Sequence, residues 1–368
     1  MELGMFLMPT HPPERSLYDA TQWDLQVIRW ADELGYSSAW IGEHFTSPWE
    51  PIPSPDLLIA QAILQTKQIK LAPGAHLLPY HHPVELAHRV AYLDHLAQGR
   101  FILGIGSSGL PSDWALFNVD GVNGENRKMT AEAMEIMLNL WDKERGPEEY
   151  RGQYWNYNTF DEMFDGLSKI HIYPYQEPHP PIGIAGMSPS SETLKLAGEK
   201  GFIPLSFGSN QEYLASHWNS VVEGAERTGR ETNRKDWMIV KEVFVADTDE
   251  EALELSANSA MGRFYDEYWI PLMTQFGLLE NLKHHPGVAD EELTPEYAAK
   301  NVWFVGSPDT VAQKIVNLYE TTGGFGTLMA HSYDYSENPE PWKKSLKLLK
   351  EEVLPRVERI IGQQIMTK

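Results

Sequence analysis

Along most of the chain, short apolar runs alternate with longer segments whose apolar residues recur at helical spacing. Glu2–Met8 reads as a strand. Thr21–Gly35 reads as a helix, with Trp23, Val27, Ile28, Ala31 and Leu34 on one face and Gly35 in the stop position. The pattern continues with a strand at Ser38–Gly42 and a helix at Ser54–Lys67, entered through Ser54-Pro55-Asp56, a capping hydroxyl before a first-turn proline. It predicts further strands at Ile69–Leu78 and Arg100–Gly106 and helices at Pro83–Gln98 and Asn126–Lys143. After an irregular stretch from Gly146 to His179 the alternation resumes, with strands at Pro181–Ala185, Phe202–Phe207, Trp237–Ala246 and Thr327–His331. Helices are expected near Ser190–Lys200, Gln211–Thr228, Asp249–Phe276, Pro308–Thr321 and Pro341–Ile361. Eight strands, each followed by a helix, imply a parallel sheet in an α/β fold. With no shift in composition along the chain, one (β/α)8 TIM barrel over residues 1–368 fits better than two open-sheet domains. About 120 residues exceed a minimal barrel and fall in insertions at roughly 107–125, 146–179 and 249–305.

Composition narrows the chemistry. The 368 residues are 42% hydrophobic and 11% aromatic, enough for a full core, which excludes bulk disorder. The chain has no cysteine, so disulfides, thiolate metal sites, iron–sulfur clusters and a cysteine nucleophile are excluded. A formal charge of −22 argues against nucleic acid and anionic membrane as partners. No apolar run approaches the eighteen or so residues of a spanning helix. The start MELGMFLMPT lacks the basic region of a secretion signal, so a cytoplasmic protein is expected.

Several motifs carry candidate chemistry, each with a plainer alternative. Gly104-Ile-Gly106-Ser107-Ser-Gly109 has the glycine spacing of a dinucleotide fingerprint. The context fails, because Leu110-Pro-Ser-Asp follows where a helix should open at once. A glycine-rich loop at the top of a barrel strand, open to a ligand, is the better reading. The histidine pairs at 81–82 and 284–285 have no chelating spacing, so no metal site is expected. Glu43-His44 follows a strand, where barrel catalytic groups sit, and His44 is a candidate proton carrier or a structural histidine. Gly74-Ala75 ends the third strand in small residues, either a bulge or a surface kept clear for a flat ring. In Gly186-Met187-Ser188-Pro-Ser190-Ser191, three hydroxyls at a helix start suggest a phosphate site, where capping alone would use one serine. The aromatics of 146–179 and 262–276 suggest a lid or apolar pocket, with core or a subunit interface as alternatives.

Together these segments resemble the bacterial luciferase-like family of flavin-dependent monooxygenases. The likeness is carried by Gly4-Met-Phe-Leu, Trp40-Ile-Gly-Glu-His44, Leu78-Pro-Tyr-His-His-Pro83 and Leu93-Asp-His-Leu-Ala-Gln-Gly-Arg100. Gly186–Ser191, Gly306-Ser-Pro-Asp309 and Gly323-Gly-Phe-Gly326 add to it. The last of these and Leu110-Pro-Ser-Asp113 look closest to the limonene monooxygenase branch. The resemblance implies a barrel, usually a homodimer, that takes reduced FMN from a separate NAD(P)H:flavin reductase. Oxygen adds to the flavin, and the flavin hydroperoxide oxygenates a small hydrophobic substrate. It also implies that His44 assists proton transfer, that Gly74 and Ala75 form a non-prolyl cis peptide against the isoalloxazine, and that Gly106 and Ser107 border the flavin. Gly186, Met187, Ser188, Ser190 and Ser191 would then hold its phosphate.

Two features depart from luciferase itself: Gly106-Ser107-Ser108 contains no arginine, and the reactive cysteine beside the flavin has no counterpart. A deazaflavin-dependent hydride transfer and a non-catalytic flavin-binding role remain as alternatives on the same barrel. Hydroxylation, epoxidation and Baeyer–Villiger insertion are not separated by the sequence, because the cofactor supplies the chemistry.

Overall fold

The computed structural model describes every residue except Pro189, Ser209 and Lys368, together with all side chains other than those of Glu212 and residues 364–367. Pro189 lies inside the serine-rich segment singled out above and is outside the described residues.

The barrel strands are β1 (Glu2–Leu7), β2 (Ser38–Ile41), β3 (Lys70–Pro73), β4 (Leu103–Gly106), β5 (Ile182–Gly186), β6 (Ile203–Ser206), β7 (Met238–Val245) and β8 (Thr327–His331). They pair in parallel around a ring, with β1 between β2 and β8 and each later strand beside its predecessor. The gap between β3 and β4 is bridged at Leu71, whose N–H reaches Arg100 O at 2.8 Å and whose carbonyl accepts from Ile102 N at 3.0 Å. The expected third strand, 69–78, is split: β3 stops at Pro73, the chain turns through Gly74-Ala75, and His76–Leu77 pairs with Ile105–Gly106. A further short strand, Phe304–Gly306, extends β7 beyond the barrel.

The outer layer consists of α1 (Leu17–Glu33), α2 (Pro55–Ile63), α3 (Pro83–Ala97), α4 (Glu125–Trp141), α5 (Glu192–Lys200), α6 (Gln211–Glu226), α7 (Pro308–Thr322) and α8 (Pro339–Leu348). Helix α1 begins four residues before the position its apolar face suggests, because the Ser16 hydroxyl caps it by accepting from Asp19 N at 3.1 Å. The expected helix 249–276 is broken into pieces, with a π-helical turn at Tyr265–Trp269.

Each strand is buried on both faces, as parallel strands between helices and a barrel interior must be. Leu3, Met5 and Leu7 of β1 face the helices, and Phe6 joins Trp40, Ala72, Ile102, Leu205, Val240 and Met329 inside the barrel. The Trp40 indole crosses the interior. A Cβ on Gly104 would lie 2.8 Å from its Cζ3 and 1.9 Å from the Pro73 carbonyl, and a Cβ on Gly183 would lie 2.5 Å from its Cη2. Gly104 is thus a packing glycine, and the apparent dinucleotide fingerprint is an artefact of that packing.

The insertions separate in space. Residues 107–125 place the short helix Pro111–Phe117 over the barrel mouth, where Phe117 meets Phe45 at a ring distance of 4.7 Å. The aromatic segment 146–179 instead braces the outer wall. The Glu132 carboxylate of α4 accepts from the backbone of Gln153, Tyr154 and Trp155, and Asp94 of α3 accepts from Gln176. Segment 262–276 does reach the mouth. None of the described helices is long and apolar enough to cross a membrane.

Gly104→Ala is expected to cost about 3 kcal/mol, the upper end of overpacking penalties, because a rigid backbone carbonyl blocks the new methyl. Gly109→Ala, which meets nothing within 4 Å, should stay within about 0.5 kcal/mol of the parent. Denaturant unfolding of both variants checks this. Equal stability of the two would refute the interior packing.

Candidate active site

All candidate site residues sit where barrel strands end and loops begin. After β2 the chain leaves as Gly42-Glu43-His44. Glu43 turns back into the wall, and the His44 side chain, 20% exposed, faces the mouth. Its Nε2 lies 3.7 Å from Glu50 Oε2 and its Nδ1 3.9 Å from Asp113 Oδ2. Both distances are too long for hydrogen bonds, and His44 Nδ1 and Asp113 Oδ2 are buried atoms without a hydrogen-bond partner. The two carboxylates are themselves fixed. Thr46 Oγ1 donates to Asp113 Oδ1 at 2.6 Å, and the Tyr268 hydroxyl donates to Glu50 Oε2 at 2.9 Å while accepting from Ser47 Oγ at 2.9 Å. Burial, and then the Glu50 charge, raise the Tyr268 pKa, so it stays a donor. An imidazole between two buried carboxylates is equipped to take up or give a proton at either nitrogen. The sequence singled out His44 alone. Glu50 lies on the same loop as His44, Asp113 ends the Leu110-Pro-Ser-Asp113 motif on the short helix over the mouth, and Tyr268 comes from the aromatic segment 262–276; nothing in those motifs pointed to a partnership with His44.

Below His44 lies a floor of small groups. The Gly74–Ala75 peptide is cis. A Cβ on Gly106 would approach Ala75 Cβ to 3.1 Å, and one on Gly74 would approach Trp40 Cβ to 3.0 Å. Met8, Ala185 and Phe207 complete the layer above Trp40. At the end of β8, His331 lies beside Phe6, and burial lowers its pKa to about 3, so it is neutral.

Two buried imidazolium clamps hold the loops. His76 directly follows the cis peptide and is fully buried. Its Nδ1 meets Glu43 at 3.1 Å and its Nε2 meets Asp56 at 2.7 Å. Burial opposes its charge, but Asp56 and then Glu43 outweigh burial and push the pKa up to about 9. Asp56 also pairs with Arg89, and Glu43 takes a second contact from His81 Nε2 at 2.8 Å. Glu43, His76 and His81 come close enough to suggest a metal. Arg89 donates to His81 Nδ1 at 3.2 Å, however, which puts the His81 proton on Nε2 facing Glu43. With both His76 nitrogens already on carboxylates, the cluster is a closed chain of ion pairs and hydrogen bonds. On the other side of the mouth His11 is held by Asp334 at 2.8 Å and Asp24 at 3.1 Å. Against its burial, Asp24 and Asp334 raise its pKa to about 9.

At the third edge, the proposed phosphate loop divides. Ser188 and Ser190 are exposed, with Ser190 at φ 50°, and Met187 is exposed beside them. Ser191 is buried and its hydroxyl is spent as the α5 cap, accepting from Leu194 N at 3.3 Å and sharing a hydrogen bond with Thr193 Oγ1 at 2.8 Å. Gly186 faces away from the mouth, where a Cβ would strike Leu194 and Ser191. On the fourth strand's loop, the Ser107 and Ser108 carbonyls accept from Asn126 Nδ2 at 2.9 and 3.1 Å.

Residues 1–324 match the family model for luciferase-like monooxygenases. The 3,6-diketocamphane 1,6-monooxygenase of Pseudomonas putida is 36% identical over 97% of this chain and 98% of its own length. Limonene 1,2-monooxygenase of Rhodococcus erythropolis is 27% identical over 99% of this chain and 89% of its own. Among solved structures, the oxygenating constituent of 3,6-diketocamphane monooxygenase from Pseudomonas putida, a type II Baeyer–Villiger monooxygenase in complex with FMN, superposes with a TM-score of 0.91 at 36% identity, covering 97% of this chain and 98% of that one.

The clamps give stability a definite pH dependence. His11 and His76, raised from 6.5 to about 9, stabilise fully below pH 6.5, and that contribution is lost as pH rises through 9. Glu43, Asp56 and Asp334 are lowered by those same imidazoles against the opposing effect of burial. Their contribution is present above the ordinary carboxylate values and is lost as pH falls through the lowered ones. Thermal midpoints should therefore decline between pH 6.5 and 9. The double variant His11→Gln/His76→Gln should be less stable at pH 6 but flatter over that interval. An unchanged slope would remove the clamps as its source.

Proposed function

The chain belongs to the luciferase-like monooxygenase family, and on that premise we propose that it is the oxygenase of a two-component flavin system that inserts oxygen into a small apolar ketone. The observation that carries the reading is the near-complete correspondence, at 36% identity, with a type II Baeyer–Villiger oxygenase in complex with FMN. The residues present fit that group: the mouth has a flat floor of Gly74, Ala75 and Gly106, and the buried His44 Nδ1 and Ser108 Oγ lack partners. In this reading Gly74, Ala75 and Gly106 would take the flavin ring with Ser107 beside it, and Met187, Ser188 and Ser190 would hold the phosphate, while Gly186 and Ser191 shape the loop. Reduced FMN, delivered by a separate NAD(P)H:flavin reductase, supplies the electrons that activate O2.

The protein's own part is to orient, to exclude water and to handle protons. His44 holds or moves a proton at the atom facing the mouth, with Glu50 and Asp113 flanking the ring. Phe45, Tyr80 and Phe117 pack together on one side of the mouth, and Trp49, Phe264 and Tyr268 on the other. Both sets exclude water and favour a hydrophobic substrate. We read the whole chain as one barrel domain and the working form as a cytoplasmic homodimer. Exposed Leu57 on α2, Leu64 at its C-terminal cap, and Tyr92 and Leu96 on α3 supply apolar surface for that contact.

With reduced FMN, 18O2 and an alicyclic ketone, the product should be a lactone carrying a single 18O, the second oxygen leaving as water. Reoxidation of the flavin with hydrogen peroxide matching O2 uptake and no lactone would overturn the reading. Turnover from a reduced deazaflavin without O2 would replace it by hydride transfer. His44→Ala should keep the fold and lose about a hundredfold or more in turnover. Unchanged coupled oxidation would remove His44 from the mechanism. Ser188→Ala/Ser190→Ala should weaken FMN more than riboflavin, and equal weakening would refute the phosphate assignment.

A further inference from the structure

The phosphate loop lacks an arginine, and its nearby cations are engaged. Lys195 is held at 3.0 Å by both Glu192 and Glu223, and Lys241 Nζ donates to the Gly208 carbonyl at 3.0 Å. What this edge does have is two helix starts side by side. Strands β5 and β6 pair through Gly186 and Ser206, so α5 and α6 open next to each other. Each start has its own side-chain cap, Ser191 for α5 and Asn210 for α6, the latter accepting from Tyr213 N at 3.0 Å. The helices touch backbone to backbone: a Cβ on Gly198 would lie 1.9 Å from Val221 O, and one on Gly224 1.8 Å from Lys195 O.

Beneath this paired start lies His217. Tyr213 of α6 donates to the Met187 carbonyl, which ties the helix to the phosphate loop. His217 follows one turn later, its ring 5.0 Å from the Tyr213 ring and against the Ser188 backbone. The residue is fully buried, yet neither ring nitrogen makes a hydrogen bond of regular geometry. A buried imidazole left in that state costs free energy unless a ligand satisfies it. Nothing in the proton chemistry around His44 uses it.

We propose that His217 is a phosphate-binding residue of the flavin site, donating a ring N–H to the FMN phosphate between the α5 and α6 starts. The inference rests on the FMN reading above and deepens it. The ligand class is a phosphate monoester dianion, held by backbone amides, the exposed hydroxyls of Ser188 and Ser190, and the His217 ring. Burial lowers the His217 pKa to about 4 against a weak hydrogen bond to the Ser188 backbone, so the ring is neutral before the dianion arrives, and its single N–H is exchanged from Ser188 to the phosphate. This arrangement lets an acidic chain take a dianion without a permanent cation in the loop.

The test titrates the full-length protein with oxidised FMN and with riboflavin, following flavin fluorescence, and records the 31P shift of bound FMN. His217→Phe keeps a ring and removes its donors. It should raise the FMN Kd by about tenfold or more, the loss expected for a hydrogen bond to a charged group, leave riboflavin within about twofold, and move the 31P shift toward that of free FMN. His217→Gln, which keeps an N–H donor, should recover part of the loss and carries the test if the Phe variant does not fold. Parallel changes for both flavins, or no change for either, overturn the role of His217. If the parent protein itself binds FMN no better than riboflavin, the phosphate loop fails as well. If the parent discriminates and both His217 variants do so equally, only His217 is excluded.

Discussion

The Trp40 indole inside the barrel is the contact on which the site depends. It is among the largest fully buried side chains, and its placement demands glycine at 104 and 183, on two other strands. It also anchors Gly74, whose neighbours are Trp40 Cβ and Phe6. The indole therefore fixes how high the barrel is filled, and so where the floor of the mouth lies. Much of the layer above that level is small or flat, with Gly42, the Gly74–Ala75 peptide and Gly106 beside Met8, Ala185 and Phe207. A wider core residue on β4 or β5 would tilt the indole and lift the floor into the space that a ring system needs. Interior packing and the shape of the pocket are the same constraint seen from two sides.

The loops above that floor are held mainly by charge. Burying an imidazolium between carboxylates recovers little net stability, because desolvation offsets most of the attraction. Its value lies in geometry, since a chain such as Glu43–His76–Asp56–Arg89 accepts few alternative arrangements. It joins the end of β2, the turn after β3, the start of α2 and the middle of α3. His11 does the same for the end of β1, the helix α1 and the loop after β8. The two clamps stand on either side of His44 and leave its own position less constrained. On a chain of net charge −22, these clamps show how carboxylates become internal partners for histidine instead of only adding surface repulsion.

Periodicity was enough to read the barrel, since strands buried on both faces and amphipathic helices leave different patterns. The boundaries it missed have local causes: the Ser16 cap that advances α1, and the turn at Gly74-Ala75 that ends β3 inside a continuous apolar run. Tertiary partnerships left no such trace. Glu50 looks like an ordinary loop acid, and the motif that ends in Asp113 says nothing of His44, until folding buries both around it. Aromatic density read the same in 146–179 and 262–276, yet the first braces α3 and α4 from outside and only the second reaches the mouth. Glycine spacing was the most deceptive signal, because Gly104 and Gly106 answer to an indole and to Ala75, not to a pyrophosphate on the helix that a dinucleotide fold requires. Three serines in one loop looked alike, but burial assigned Ser191 to a helix cap and left Ser188 and Ser190 exposed.

The slack around His44 then has a mechanistic meaning. Each clamp histidine is bound on both sides at hydrogen-bond distance, which pins its proton. His44 faces two carboxylates at 3.7 and 3.9 Å, near enough to orient the ring but too far to hydrogen-bond it to either. Those carboxylates are spoken for by Thr46 and Tyr268, so neither is free to swing in and capture the imidazole. The ring therefore keeps one nitrogen available to whatever occupies the mouth. A proton carrier needs that combination of rigid partners and an uncommitted donor. It is the opposite of what the same fold does with His11 and His76, on the loops that follow the two neighbouring strands.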